Sequence, residues 1–542
     1  MTVVRKWGTL AVLSLALAII LIDSTLLNVA LETLIVDLHT TLQKLQWVIS
    51  AYSLILAALT VTGGRMGDLF GRKRMFIIGA ITFVAGAVIA SMSHSFTVLL
   101  LGESIIEGIG AALMMPATAS LLVACYKGHD RAMAFGIWGA VAAAATAIGP
   151  IVGGFLTTHY SWRWGFRINV IVVAILLAGS PLVKDDREPE EKQIDWLGVF
   201  LSSAGLFLVV FGIIESESYG WLRARKPFPL WQPGSVSIAL VSLLAGIVIV
   251  ALFAIWEWRF EARGGLPVVS MSLFANRQFV AGAGVTGVMM LAQNGVIFTL
   301  PVFLQSVRNL DALHTGLTLF PMSLMILIVS PSAAHLTKRI PHKRLVQAGL
   351  IVNAIAILVL RYSIGVNMNL FWLIPGLALS GIGLGMVLSQ INNLTLSAVD
   401  LKSAGEASGV TNTFRQIGIS LGTAIIGAIL ISTILGGLEG AVMRSGDVPQ
   451  QSKTQISKLL VANSAELAFG TAPMFNQLPQ NIRPQMDQLR RVSTTAGIRR
   501  AFLWCAFIAL LAFGVSMFLP LRPDGSERGA DVSSAHAARQ RG

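Results

Sequence analysis

The chain has 542 residues, of which 54% are hydrophobic and only 12% charged, and its mean hydropathy is +0.73. A soluble globular chain carries roughly a quarter charged residues, so this composition excludes an ordinary cytosolic or secreted protein. Lipid satisfies no backbone polar group, so the expected class is an all-α polytopic membrane protein. The net charge of +13 is assigned to cytoplasmic loops rather than to nucleic-acid binding.

Apolar runs along the chain predict about fourteen membrane helices, each span needing about 20 residues. The first run, Thr9–Leu31, is longer than the roughly 7–15 apolar residues of a signal peptide, so we expect a retained helix. The later runs are, in chain order, Trp47–Gly63, Met75–Ser93, Thr97–Val123, Met133–Leu156, Trp164–Val183, Ile194–Ile214, Gly234–Glu257, Phe279–Gln305, Thr315–Ala334, Leu345–Tyr362, Leu370–Leu396, Ala407–Leu435 and Ala501–Leu519. An even number of spans places both termini on one side of the membrane.

The distribution of basic residues between alternate loops predicts the orientation. Loops on the side of the N-terminus carry about 23 Lys and Arg, against about 8 on the other side once the long loop Gly436–Gly497 is discounted. Because cytoplasmic loops collect Lys and Arg, both termini are expected in the cytoplasm. The predicted location is a bacterial cytoplasmic (inner) membrane.

Two stretches outside the spans carry expectations of their own. In the long outer loop, apolar residues of Gln451–Phe469 fall at roughly helical spacing, which fits either a short amphipathic helix or a loosely ordered loop. The tail Arg522–Gly542 is rich in Ser, Ala, Arg and Gly and is expected to be disordered. Cys125 and Cys505 lie far apart in the chain and predict neither a disulfide nor a metal site.

The segment Gly63–Arg74, between the second and third predicted helices, has the sequence GGRMGDLFGRKR. Its glycines permit a tight turn, and its cations suit the cytoplasmic interface. Asp68 can form an ion pair with them or stand at the N-terminus of a neighbouring helix, where a carboxylate is favoured. Such a contact can latch one helix bundle against another in one conformation; the alternative is a basic turn that only sets topology. The candidate conformational-switch residues are Gly64, Asp68, Gly71, Arg72 and Arg74.

This pattern resembles motif A of the major facilitator superfamily, and a shorter basic echo, Lys338–Arg344, falls between the tenth and eleventh predicted helices. The fifth helix contains Ala145–Gly154, which is similar to motif C of the antiporters in that superfamily. A proline removes a backbone hydrogen bond and glycines allow close helix approach, so this helix can seal a cavity toward one side. An ordinary packing seam is the alternative. The candidate antiporter-motif residues are Gly149, Pro150, Gly153 and Gly154.

Further segments resemble the fourteen-helix drug:proton antiporter branch of the superfamily; they are Leu21–Leu31, Ser161–Trp164 with Ile168–Val170, and Asn412–Gly418. The resemblance covers nearly the whole chain and implies a major facilitator fold, with two six-helix bundles and two extra central helices. The implied domains are an N-terminal bundle (1–183), two inserted helices with linkers (184–277), a C-terminal bundle including the outer loop 436–497 (278–520) and a cytoplasmic tail (521–542).

Charged residues inside the predicted spans are candidates for proton coupling, because each costs about 2.5–3.5 kcal/mol at mid-bilayer. Asp23 lies roughly 12 Å from the outer end of the first helix, and Glu103 and Glu107 bracket a similar depth on one face of the fourth. Burial and a neighbouring carboxyl favour the neutral form of such an acid, as a proton carrier requires. The family motif in this helix usually has arginine at the position of Ser104 and glutamine at that of Glu107.

Each intramembrane charge also has a structural alternative. Asp23 could serve only as a hydrogen-bond acceptor for Ser24 or Asn28, and Glu103 could reach the outer interface. Arg415, about eight residues into the thirteenth helix, is expected to be a structural anion partner or a cation in the substrate cavity rather than a proton site.

The resemblance implies proton-coupled export (antiport) of amphipathic organic compounds or drugs by alternating access, with protons, a small-molecule substrate and the lipid bilayer as partners. An exporter of one native metabolite or lipid, with drug efflux incidental, stays open as the alternative. An accessory periplasmic or envelope protein is a further candidate partner, and no nucleic-acid partner, cofactor or metal is expected. An enzyme would need convergent His, Ser or metal ligands, and a non-transporting sensor would need a signalling domain, so neither is expected.

Overall fold

A computed structural model of the chain describes residues 3–40, 42–184, 195–224, 228, 236–400, 403–444 and 483–521. Within these ranges the chain is almost entirely helical, and the only extended pairing is one isolated bridge between Arg223 and Val236.

Thirteen helices contain a stretch that is long and apolar enough to cross a membrane, and α5 is a further helix of 32 residues. The helices are α1 Val3–Asp37, α2 Leu42–Phe70, α3 Arg72–Ser91, α4 Phe96–Cys125, α5 Gly128–His159, α6 Arg163–Gly179, α7 Trp196–Tyr219, α8 Ile238–Ala262, α9 Arg277–Val307, α10 Ala312–Leu336, α11 His342–Ser363, α12 Leu370–Leu396, α13 Ala404–Arg444 and α14 Arg483–Ser516. The predicted all-α polytopic class is confirmed.

Polar side chains fix where several helices begin. Asn276 Oδ1 accepts hydrogen bonds from the backbone N–H groups of Gln278 and Phe279 at the start of α9, at 3.0 and 3.2 Å. Asp195 Oδ1 accepts one from the Gly198 N–H at the start of α7, at 2.9 Å. Because the first N–H groups of a helix have no partner inside it, these caps set the residue at which each span begins.

The helices divide into two groups of six, each around a hydrophobic core. In the first group α1 packs on α5 and α6, and α3 packs on α4 and α6. In the second, α9 packs on α13 and α14, and α11 packs on α12 and α14. Phe76 and Phe135 are fully buried in the first core, and Phe303 and Phe502 in the second. We call these groups the first bundle (α1–α6) and the second bundle (α9–α14).

The two bundles meet mainly where α2 packs on α13 and α5 packs on α10, and also where α5 packs on α12 and α4 packs on α13. Small residues bring the backbones together: a Cβ on Gly64 would collide with the backbone oxygen of Gly405, and one on Gly136 would lie 3.0 Å from the oxygen of Ser330. Helices in lipid associate through such close small-residue contacts rather than through the hydrophobic effect. Any relative movement of the bundles must therefore change these two contacts.

The helices α7 and α8 form an inserted pair. They pack closely on each other where Gly205, Gly212 and Gly246 face a neighbouring backbone. Helix α7 also packs on α2 and α13, one helix from each bundle. The inserted pair thus lies beside the α2–α13 contact, and its two helices begin and end a few residues later than the sequence predicts.

The outer loop between α13 and α14 is shorter than the sequence predicts. Helix α13 continues to Arg444 and α14 begins at Arg483, so the expected loop boundaries at residues 436 and 497 fall inside helices. The extension of α14 is supported by ion pairs from Asp487 to Arg490 and Arg491, at 2.7 and 2.8 Å, which hydropathy alone cannot detect. The possible helix at residues 451–469 and the tail at 522–542 lie outside the described residues.

Candidate functional site

Three carboxyl groups meet inside the first bundle. Asp23 lies in α1, Glu103 and Glu107 lie in α4, and each residue is at most 1% exposed. Tyr52 of α2 is close enough to interact electrostatically with all three, and its hydroxyl has no hydrogen-bond partner among the described residues. The fold therefore brings together the three residues that the sequence nominates for proton coupling.

Asp23 is held by one amide and faces another acid. The Asn169 side chain of α6 donates a hydrogen bond of 2.5 Å to Asp23 Oδ1. The Asp23 and Glu107 carboxyl groups are close enough to interact electrostatically, and no protein donor in the described ranges reaches Asp23 Oδ2 or either oxygen of Glu107. Buried carboxyl groups that lie near each other without a basic partner repel each other strongly when both are ionised.

The hydrogen-bond partner of Asp23 differs from the two that the sequence offers. The hydroxyl of Ser24 donates to the backbone oxygen of Leu21 at 2.9 Å, and the side chain of Asn28 lies outside the described residues. Asn169 is 1% exposed and is the only amide side chain of α6, and an amide within a span is the sequence signal that could have identified it.

The two glutamates lie in a π-helical segment of α4, Leu100–Glu107. The wider π turn fits against α3 because Gly86 has no side chain: a Cβ there would lie 2.6 Å from both Cγ and N of Glu107. Ser104 can donate to Glu103 Oε2 at 3.2 Å or to the Val48 backbone oxygen at 2.7 Å. Glu103 therefore has a neutral donor beside it that Glu107 lacks, and single π turns inside α-helices are frequent at functional sites.

Arg415 lies in the second bundle, in α13. It is 9% exposed, its Nε is buried without an acceptor, and no described carboxylate lies within 4.0 Å of its guanidinium group. Arg415 is expected from the sequence to be either a structural anion partner or a cavity cation. No anion among the described residues lies beside it, and the role as a cavity cation stays a prediction.

The antiporter-motif residues lie on α5, which packs on α1 in its own bundle and on α10 in the other. A Cβ on Gly153 would lie 3.1 Å from the side chain of Leu26 in α1, so this glycine permits the close α1–α5 contact. Gly149 is buried and Gly154 is partly exposed. Pro150 belongs to the same helix, but its side chain lies outside the described residues.

Asp68 joins the two bundles at the ends that the charge distribution of the loops predicts to be cytoplasmic. Gly71 has φ of 98°, a left-handed conformation that favours glycine, so α2 ends at Phe70 and Arg72 folds back over Asp68. The Arg72 guanidinium donates to Asp68 Oδ1 at 3.0 and 3.2 Å. From the other bundle, the N–H of Gly405 donates to Oδ1 at 3.1 Å and that of Glu406 to Oδ2 at 2.8 Å.

We call this contact the cytoplasmic latch, defined by Asp68, Arg72, Gly64, Gly405 and Glu406. Asp68 forms the ion pair and also caps the N-terminus of a neighbouring helix, where backbone N–H groups favour a carboxylate. Both side chains of the ion pair are only 1% exposed, so solvent screens the pair little. Arg74, by contrast, is exposed, and no hydrogen bond or ion pair to a described residue involves it.

Glu406 ties the latch to the inserted pair, and the sequence analysis missed it. Its Oε1 accepts a hydrogen bond of 2.5 Å from the backbone N–H of Ser270, in the segment that joins α8 to α9. The Ser270 hydroxyl donates to Glu261 of α8 at 2.6 Å. Arg65 lies 4.0 Å from Glu406 Oε2. A carboxylate in the first turn of an apolar helix was the available signal.

A separate polar contact closes the opposite end of the first bundle. Asp37, at the end of α1, accepts hydrogen bonds from the Trp162 indole at 2.9 Å and the Arg163 guanidinium at 2.6 Å. These two donors hold the pKa of the Asp37 carboxyl below its ordinary value. The same guanidinium donates to the backbone oxygen of Ser93 at 2.8 Å, so one arginine joins α1, α6 and the α3–α4 loop.

The family model described as Major Facilitator Superfamily matches residues 13–423, which is most of the chain. The chain belongs to the major facilitator superfamily. It is therefore a multi-pass membrane transporter and not an enzyme.

Three bacterial relatives of this transporter carry names that describe export or resistance. The probable actinorhodin transporter of Streptomyces coelicolor is 31% identical over 451 residues, covering 82% of this chain and 75% of the relative. The tetracenomycin C resistance and export protein of Streptomyces glaucescens is 27% identical over 519 residues, covering 95% and 91%. The multidrug efflux pump LfrA of Mycolicibacterium smegmatis is 28% identical over 519 residues, covering 95% and 96%.

Solved structures share the fold. The human organic anion transporter MFSD10 has a TM-score of 0.58 and 13% identity, covering 94% of this chain and 99% of its own. The proton:xylose symporter XylE has a TM-score of 0.56 and 11% identity, covering 91% and 95%. The predicted major facilitator fold is confirmed.

Proposed function

We propose that this transporter exports amphipathic organic compounds or drugs from the cytoplasm in exchange for protons. The observation that carries the proposal is the burial of Asp23 and Glu107 close to each other. Both residues are at most 1% exposed and no basic side chain of the described residues is bonded to either, so we infer that the pair shares a proton. Release of that proton would leave two like charges in a medium of low dielectric constant, which is strongly unfavourable.

The direction and substrate class are supported by the relatives. Their names describe transport of actinorhodin, export of and resistance to tetracenomycin C, and multidrug efflux, so transport of organic compounds is common to them and export is named in two. We carry this activity over to the present chain. A relative named for a single compound also favours the second candidate, export of one native metabolite with drug efflux incidental.

The mechanism follows from where the proton site and the latch lie. With both termini in the cytoplasm, a proton would enter the Asp23–Glu107 pair from outside and leave inside, while the substrate moves outward. One proton moving across about 1 pH unit and 100 mV supplies ~3.7 kcal/mol, which is enough for a substrate gradient of a few hundredfold. The cytoplasmic latch holds α2 against α13 in one of the two conformations that alternating access requires.

The proposal is tested in inverted vesicles whose interior is acidified by respiration. Addition of ethidium, and then of a panel of other aromatic cations and neutral drugs, should collapse the pH gradient in vesicles containing the wild-type chain. Asp23→Asn should abolish this collapse, because an amide accepts the Asn169 hydrogen bond but cannot carry the proton. Asp37→Asn, in the same helix at its exposed end, is the matched control and should retain it.

Other outcomes separate the candidates. A response to one compound and to no other member of the panel would favour the single-metabolite exporter. An undiminished collapse with Asp23→Asn at equal expression would remove Asp23 from the mechanism. Drug transport that ignores the pH gradient altogether would overturn proton coupling while leaving export intact.

A further inference from the structure

Positive charge accumulates at one end of the second bundle, opposite its basic loop. Helix α11 begins at His342 beside the loop Lys338–Arg344 and carries Arg361 at its other end. The 19 steps between these residues span about 28 Å, close to the ~30 Å thickness of the hydrocarbon core. Arg361 therefore lies at the headgroup level of the leaflet opposite the basic loop, where an excess of positive charge is unusual.

Two arginines of α14 join Arg361 around a cavity of about 410 Å³. Arg499 and Arg500 line it together with Thr495 and Leu503 of the same helix. We call this cavity the arginine pocket. It offers three guanidinium groups, a hydroxyl and an apolar wall, all on the second bundle.

The arginines are positioned by neutral groups. Arg361 Nε donates to the backbone oxygen of Arg499 at 3.2 Å, and Arg499 Nε donates to that of Ile364 at 2.9 Å. Arg500 has no hydrogen-bond partner among the described residues, and no described carboxylate lies within 4.0 Å of any of the three. The pocket thus holds three positive charges that no described acid compensates, two of them fixed in orientation by carbonyl groups.

Next to the pocket, the surface is apolar and faces outward. Tyr362, on which the Arg361 guanidinium stacks at 5.0 Å, is 75% exposed. Trp504 and Phe507 are each about half exposed one and two turns further along α14. Exposed aromatic rings beside basic residues are typical of the membrane–water interface, where the headgroup and the acyl chains of a lipid meet.

We propose that the arginine pocket binds the phosphodiester headgroup of an anionic phospholipid, with its acyl chains lying along α14. Arginine suits this ligand because its planar fork of donors matches two phosphate oxygens. A lipid is favoured over a free phosphate ion because the charged pocket is continuous with apolar surface, which only an amphipathic anion covers. The assignment to the outer leaflet depends on the proposed orientation; the binding itself does not.

The test uses the full chain in nanodiscs of phosphatidylcholine with increasing fractions of phosphatidylglycerol. The measurement is the midpoint of thermal unfolding, because a ligand that binds only the folded state raises it. The variant is Arg361→Gln with Arg500→Gln, which keeps the Arg499 bond to the loop. Each basic residue near a charged membrane surface changes binding about fivefold, so the double variant should need roughly 25-fold more phosphatidylglycerol for half-saturation.

The matched control is Arg167→Gln with Arg223→Gln, two exposed arginines outside the pocket that remove the same net charge. The control should keep the half-saturation of the wild type. Equal dependence on phosphatidylglycerol in the wild type and the pocket variant would overturn the proposal. So would equal stabilisation by inorganic phosphate in pure phosphatidylcholine, which would identify a site for a soluble anion. The readout is binding, so a negative result leaves proton coupling untouched.

Discussion

The two bundles have the same helix order but distribute their polar groups differently. If they are paired in chain order, α1 corresponds to α9 and α4 to α12. The first bundle buries Asp23, Glu103 and Glu107 in α1 and α4, whereas α9 and α12 contain no Asp or Glu and bury amides such as Gln293 and Gln390. Neither α9 nor α12 therefore offers an acid for proton exchange, so in the proposed mechanism coupling must cross the contacts between the bundles, chiefly α2–α13 and α5–α10.

The basic loops of the two bundles repeat this difference. Asp68 of the first bundle accepts two backbone hydrogen bonds from α13 of the second. The corresponding basic segment of the second bundle, Lys338–Arg344, has no acidic residue. Its Lys343 donates a hydrogen bond of 2.7 Å to the backbone oxygen of Met517, within the same bundle. A loop with a carboxylate can reach across to a helix N-terminus, while a purely basic loop has no group that those N–H donors would favour.

The largest effect is expected from Glu107→Gln. The amide keeps the volume of the side chain but cannot exchange a proton with Asp23, so drug-driven proton release should fall at least ~10-fold, a change of ~1.4 kcal/mol in the barrier. Glu103→Gln should cost less, because Ser104 already lies beside that carboxyl group. The measurement is the number of protons released per drug molecule in proteoliposomes.

The second bundle supplies the control for that experiment. Gln293→Leu changes a buried amide of α9. It should leave the proton-to-drug ratio unchanged even if it slows transport. A changed ratio in this variant would mean that both bundles take part in proton coupling, and the contrast between them would fail.

Gly405→Ala should have the next largest effect. The added Cβ would lie 2.5 Å from the backbone oxygen of Gly64 and 2.7 Å from Asp68 Oδ1, so α2 and α13 must separate. The cytoplasmic latch would then stay open, and transport should drop by about 5- to 150-fold, which corresponds to the ~1–3 kcal/mol that overpacking costs. Gly436→Ala is the matched control, because no described heavy atom lies within 4 Å of its Cβ position in the same helix.

Cysteine labelling checks the mechanism of that loss. A cysteine at Ser408, which is buried in the first turns of α13, should react with a membrane-impermeant maleimide applied from the cytoplasmic side only in the Gly405→Ala background. Equal protection of this cysteine in both backgrounds would show that the glycine contact does not hold the latch closed.

Asp68→Asn should produce a smaller loss. An amide can still accept hydrogen bonds through one oxygen, but it loses the negative charge that pairs with Arg72 and with the N-terminus of α13. Charge at a partly buried helix N-terminus is worth up to ~2 kcal/mol. If the closed state limits the transport cycle, transport should therefore fall by several-fold to about 30-fold. If another step limits the cycle, the fall in transport should be smaller. Arg74→Gln removes an exposed charge from the same segment and should be close to wild type in the same uptake assay.

The sequence predicted the latch better than the proton site. A carboxylate among cations and glycines indicates both possible contacts of Asp68, because both depend only on local charge. The partners in the fold, Asn169 for Asp23 and Gly405 for Asp68, lie 146 and 337 residues away and follow from tertiary packing. The π turn that carries Glu103 and Glu107 has no signal in hydropathy, because it depends on Gly86 of a neighbouring helix.

The sequence also predicted the number of helices but not their ends. Charged residues at the first turns of α14 belong to the helix because they pair with each other, as Asp487 does with Arg491. Hydropathy counts the same charges as evidence for a loop. Glu406 was missed for a related reason: its carboxylate is stabilised by the backbone N–H of Ser270, a group that carries no sequence information.

Glu406→Ala should weaken the link between the latch and the inserted pair. Loss of the side chain leaves the Ser270 N–H without its acceptor, and leaving a buried donor unsatisfied costs ~1–3 kcal/mol. Glu406→Gln keeps an acceptor and should retain more activity than the alanine variant. If the two variants transport alike in the vesicle assay, the hydrogen bond from the inserted segment does not contribute to the latch.

The smallest effect concerns the opposite end of the first bundle. Because the pKa of Asp37 is lowered in the folded protein, its contact with Trp162 and Arg163 stabilises the fold above the ordinary pKa and is lost as the pH falls through the lower value. The Asp37 side chain is 42% exposed, so solvent screening limits the contribution to below about 1 kcal/mol. Asp37→Asn should therefore lower the midpoint of thermal unfolding slightly at pH 7, and the difference from the wild type should shrink as the pH falls below the ordinary pKa of 3.8. Asp130→Asn, which removes an exposed ion pair with Lys6, controls for net charge. A difference between wild type and Asp37→Asn that does not shrink as the pH falls would mean that the contact acts through packing rather than charge, and this end of the bundle would then not sense pH at all.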